Sequence, residues 1–103
     1  SDKDTIRSLG AAPYRAEILA RALGSLHTGA CSPEQFEELV NAELSSLGLP
    51  SMIIEPDVRE ALLAEFNGHL ATYRDLRDGD SMTLSFSLKG PGVSRSNPSL
   101  ERP

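Results

Sequence analysis

After Asp78-Gly79-Asp80 the apolar residues of this chain change their spacing, and that single switch limits what the chain can build. Upstream, apolar residues recur every three or four positions. Downstream, Met82, Leu84, Phe86 and Leu88 alternate with Thr83, Ser85, Ser87 and Lys89. The first spacing lines one face of an α-helix, and the second lines one face of a half-buried strand. A chain of 103 residues has room for one core. The pattern therefore predicts a mainly α fold: a small three-to-four-helix domain with one C-terminal β-strand or extended arm. The domain is expected to span residues 1–89, with the strand at 81–89. Gly90-Pro91-Gly92 breaks the strand, and the Ser-, Pro- and Asn-rich stretch completing 90–103 reads as a mobile tail.

Each helix carries its own start and stop signals. Pro13 is tolerated in a first turn, where its missing N–H needs no partner. From there to Leu26, the residues Tyr14, Ile18, Leu19, Ala22, Leu23 and Leu26 share half of the helical wheel, whereas Glu17 and Arg21 face away. Ahead of it, Asp4 to Leu9 reads as a short turn with Ile6 and Leu9 as its apolar contacts. Ser32-Pro33-Glu34-Gln35 has the spacing of a capping box and starts a second helix. Phe36, Leu39, Val40, Leu44 and Leu47 form its stripe, and Gly48 with Pro50 stops it. Met52-Ile53-Ile54 reads as a short extended run. Pro56 then opens the longest helix, predicted to end near Arg77, whose apolar arc holds Val58, Leu62, Leu63, Phe66, Leu70, Tyr73 and Leu76. Leu19, Leu23, Leu39, Val40, Leu62, Phe66 and Leu70 are the core residues expected from these arcs.

Charge narrows the partners. Fifteen acids against ten bases leave a formal charge of −5, and the eight arginines are scattered among acids. Polyanions are bound by clustered Lys and Arg, so nucleic acid and anionic membranes are not expected as partners. A helix-turn-helix regulator reading DNA through the long helix is the corresponding alternative. It is disfavoured by that helix's acidity and by a link from Gly48 to Glu55 longer than the motif's three or four residues. Cys31 is the only cysteine, so no intrachain disulfide can form. No apolar run is long enough to span a bilayer, and Ser1-Asp2-Lys3-Asp4 lacks the apolar region of a secretory signal. A cytoplasmic location is the expectation.

Chemistry-bearing residues are few. His27 and Cys31 are four apart, but in a loop that does not enforce the spacing, and no second pair accompanies them. No metal site and no cofactor are predicted. No P-loop, glycine-rich dinucleotide turn or nucleophile elbow is present, so no catalytic residue is named. Two polar residues interrupt apolar arcs: Glu43 within the stripe of the second helix and His69 within that of the third. Removed from water, a carboxylate needs a polar partner: Glu43 and His69 are one candidate buried pair, Arg15 and Arg59 are the other candidate partners, and an edge that touches another subunit is the remaining reading. A small enzyme, or an enzyme subunit, working through Glu43, His69 or Cys31 is the rival functional reading.

The preferred reading is a non-catalytic protein-binding module, an accessory, regulatory or inhibitory partner. It is expected to act through an acidic helical surface and the apolar strand residues Met82, Leu84, Phe86 and Leu88. A lone strand leaves backbone groups without partners. Pairing with Met52–Ile54, with another protein's sheet, or with a second copy in a twofold homodimer would supply them, and pairing outside the chain is preferred.

Overall fold

The computed structural model describes residues 12–87 and 99–101. Among them three α-helices run in chain order: α1 (Ala12–Thr28), α2 (Phe36–Ser46) and α3 (Pro56–Arg74). Two short strands follow, β1 (Ser81–Thr83) and β2 (Ser99–Glu101). The mainly α architecture with a C-terminal extended arm is as the periodicity predicts. The short turn expected at Asp4 to Leu9 lies outside the described residues.

Start and stop signals operate as local chemistry dictates, with two adjustments beyond α1, which runs past Leu26 to Thr28 and so takes in His27, expected in a loop. A 3₁₀ turn, Pro33–Gln35, precedes α2. Within it Gln35 Oε1 accepts the Ser32 N–H at 3.4 Å, the reciprocal half of the capping box. At the other end of α2, Leu49 N–H donates to Leu44 O and Gly48 N–H to Ser45 O, at 2.9 and 3.0 Å. That pair of bonds requires a left-handed residue, and Gly48 supplies it at φ +72°. The second adjustment is in α3, which starts at Pro56 but stops at Arg74, short of Arg77. Asp75 and Leu76 donate to Thr72 O and Tyr73 O in a tightened last turn. The chain then reverses through Arg77–Asp80, where Gly79 at φ +89° fills the third turn position.

The core lies where α1 meets both α2 and α3. Ile18, Leu19, Ala22 and Leu23 come from α1, Phe36, Val40 and Leu44 from α2, and Leu62 from α3; Ile54, Leu84 and Phe86 complete it from non-helical segments. Leu19, Leu23, Val40 and Leu62 are buried as expected, but Leu39, Phe66 and Leu70 are only half-buried. The helical wheel gives a face, not the depth to which that face is covered. On α3 the single fully covered residue is Leu62.

The arm differs most from expectation. Among the described residues of the arm only Ser81–Thr83 forms a ladder, and its antiparallel partner is Ser99–Glu101, with Met82 opposite Leu100. The pairing is therefore within the chain, but not with Met52–Ile54. Ser99–Glu101, part of the stretch read as a mobile tail, is a strand; residues 90–98 lie outside the described residues. From Leu84 to Ser87 no strand lies alongside among the described residues. Side chains of α3 take its place: Glu65 Oε2 accepts the Ser87 N–H at 2.9 Å, and His69 Nε2–H donates to Ser85 O at 2.6 Å. Four residues apart on one helical face, Glu65 and His69 grip backbone groups that a neighbouring strand would otherwise bond.

Candidate functional site

The residues singled out by sequence have structural tasks. Leu84 and Phe86 are 5 % exposed, packed on the helices, and Met82 is half-buried against the same cluster. Leu88 lies outside the described residues. Where it is described, the apolar face of the arm thus packs on the domain's own core. The physical reason is that three helices of this length leave one side of their core open, and the arm is the nearest apolar strip to close it.

Glu43 and His69 are not partners of each other. Glu43 Oε2 accepts from Arg21 Nη2 at 2.6 Å, and Arg21 also reaches Glu17 Oε1 at 3.1 Å, one turn away on α1. The Glu43 hydrogen bond raises the Arg21 pKa above its ordinary value, against some desolvation and with help from the charges of Glu43 and Glu17. The pair is solvent-exposed, so its contribution to stability falls under about 1 kcal/mol. Glu43 escapes burial because α1 offers a guanidinium at the rim of the α1–α2 contact. His69 packs edge-on to the Phe86 ring, centroids 5.5 Å apart, while its Nε2–H serves Ser85.

Cys31 is buried, and its thiol donates to Ser32 O at 3.3 Å. It lines a shallow depression with Ser25, Ala30, Gln35, Glu38 and Leu39. His27 is exposed, tilted against Phe66 with ring centroids 6.0 Å apart. Glu43, His69 and Cys31 are each engaged separately, so the catalytic alternative has no assembled constellation. Among the described residues no group of three His, Cys, Asp or Glu side chains is placed to hold a metal ion. None of the described helices is long and apolar enough to cross a membrane.

The feature that stands out is the Met52–Ile54 run. Between α2 and α3 the chain enters no helix, and α2 side chains bind every second residue of it, Met52 and Ile54, as along one edge of an extended segment. Asn41 Oδ1 accepts the Met52 N–H at 2.7 Å, and Asn41 Nδ2 donates to Met52 O at 2.8 Å. One turn earlier on α2, Glu37 Oε2 accepts the Ile54 N–H at 2.6 Å. Arg59 Nη1 donates to Pro33 O at 3.1 Å, which ties the start of α3 to the turn before α2.

In an extended chain the N–H and C=O of one residue share a side, and the next residue's point the opposite way. With Met52 and Ile54 turned to α2, the Ile53 amide and carbonyl face outward, and neither has a hydrogen-bond partner among the described residues. The side chains alternate too: Ile54 is buried, Met52 half-buried, and Ile53 is 84 % exposed. Ile53 is the one large hydrophobic residue that stands exposed among the described residues. Its signal was present in the sequence, since an extended run of three apolar residues cannot turn all three inward.

The chain matches no protein-family model, no curated protein and no solved structure.

The Asn41 clasp is what holds Ile53 outward, and it can be tested. Asn41→Ala leaves a half-buried N–H and C=O of Met52 without partners, which is expected to cost about 1–3 kcal/mol. Urea denaturation should show the lower midpoint, and proteolysis should cut the 49–55 link sooner than in the parent chain. An unchanged midpoint would mean that the link is held by something other than Asn41.

Proposed function

We propose that the chain is a non-catalytic protein-binding module whose contact surface is the link between α2 and α3 together with the acidic residues around it. The observation that carries this reading is Ile53, a β-branched side chain left 84 % exposed on a segment where, among the described residues, nothing bonds its N–H or C=O. A single exposed apolar residue is ordinary on a protein surface. An exposed apolar residue on an open backbone edge is less so, because such edges are commonly protected.

The charge around it favours a basic partner. Glu34, Glu37, Glu38, Glu43, Glu55, Asp57 and Glu60 occupy the stretch from Pro33 to Glu60, in which Arg59 is the only basic residue; Glu43 is paired with Arg21 of α1. Arg59 is itself turned inward to Pro33. A field of one sign speeds the encounter with an oppositely charged protein and repels acidic competitors, most strongly at low salt.

Ile53→Glu supplies the test, because it replaces the exposed anchor without touching the core. The intact protein, immobilised and exposed to native lysate, is expected to retain a stoichiometric partner that Ile53→Glu releases. The variant's unfolding free energy should stay within about 0.5 kcal/mol of the parent's, as for other surface substitutions. Retention of every partner by Ile53→Glu would remove this surface from the reading.

A further inference from the structure

Resting on the proposal that this face binds protein, we infer that its occupant is a basic, extended segment of another protein, which adds to the Met52–Ile54 link as an antiparallel strand centred on Ile53. Three observations converge. The helix-facing edge of the link is already bonded to Asn41 and Glu37, much as a neighbouring strand would bond it, so the link is held straight before a partner arrives. The other edge presents Ile53 N–H and C=O together, the donor–acceptor set that one residue of an antiparallel partner satisfies with two bonds. Pro50 and Pro56 bracket the link, and neither has an N–H to offer, which limits the slot to residues 51–55.

The register follows from strand geometry. The partner residue opposite Ile53 places its side chain on the same face as Ile53, where an apolar β-branched residue packs best. Two residues earlier in the partner, the side chain lies opposite exposed Glu55, where Lys or Arg fits. Two residues later it lies opposite exposed Ser51, which suits a small polar residue. The Glu37 carboxylate at Ile54 adds negative charge along the same link. Among the described residues nothing bonds the Glu55 N–H, which stays open to the partner, while its carbonyl accepts Arg59 N–H at 2.9 Å. A second copy of this chain would bring the same acids to the interface, so charge selects against self-pairing.

The probe is a fluorescent peptide, Lys-Thr-Lys-Thr-Val-Thr-Ser, with a counterpart carrying Glu in place of both lysines, titrated into the full chain at low salt. Saturable binding of the lysine peptide, at least tenfold tighter than its counterpart, is expected, with hydrogen exchange of the Ile53 amide slowed about tenfold at saturation. Ile53→Pro should abolish that binding, because it removes an N–H that no described residue uses. Ile53→Val keeps the N–H and the β-branched shape and should bind as the parent does. If the peptide binds while the Ile53 amide exchanges unchanged, or if Ile53→Pro binds equally well, strand addition is wrong though the module reading stands. If neither peptide binds while a lysate partner is still released by Ile53→Glu, the basic-strand chemistry is wrong and the surface is right. Concentration-dependent dimers that Ile53→Pro dissolves would overturn the foreign partner in favour of a second copy. The exchange measurement on the unmutated protein keeps the test decisive even if Ile53→Pro folds poorly.

Discussion

Ending the chain after Asp80 is expected to lower its thermal midpoint by more than about 15 °C. The cut removes Leu84 and Phe86, each 5 % exposed in the intact domain, and with them the cover over one side of the helical core. Full burial of such a side chain contributes about 1.5–3 kcal/mol, so the pair accounts for about 3–6 kcal/mol. Two charge-capable grips also lose their object, Glu65 on the Ser87 N–H and His69 on Ser85 O. A domain of this size has about 5–15 kcal/mol in total, and the shortened chain stands close to unfolding. Circular dichroism melts of the intact and shortened chains decide the matter. If the arm instead served mainly a partner, the shortened chain would melt as the intact one does and lose only its binding.

Phe36→Ala is expected to cost about 3–5 kcal/mol, the range for emptying a closed aromatic site. Phe36 is wholly buried at the first position of α2, in one cluster with Leu19, Leu23, Val40 and Leu84. Its removal leaves a cavity bounded by more than one element, and no single neighbour can move in to fill it. Phe66→Ala provides the contrast. That ring is half-buried on α3, with His27 beside it and Gly24 close to its tip, so water and side chains can occupy the vacated space. Its cost should be about half that of Phe36→Ala. Urea midpoints with unchanged slopes would give both values on one scale. Equal losses at the two sites would place α3 deeper in the core than the described contacts do.

The sequence determined what depends on near neighbours along the chain. Three-and-four spacing located α1, α2 and α3, and Gly48 with Pro50 and Pro56 marked where helix gives way to link, because those choices are made by φ restriction and backbone bonding within a few residues. The switch to period two located the extended arm for the same reason. What periodicity could not supply was depth and partnership. It gave α3 seven apolar positions without revealing that only Leu62 would be closed over, since coverage depends on which other element arrives. It placed Glu43 and His69 on apolar arcs without revealing Arg21 at the α1 rim or the Ser85 carbonyl, both distant in sequence. It read four apolar residues in the arm as a surface in want of a partner, whereas the tertiary structure turns Leu84 and Phe86 onto the domain's own helices. Ile53 shows the converse. Local pattern makes it one of three equivalent apolar residues, and only the side of the link that Asn41 and Glu37 grip decides that Ile53 is the one left facing water.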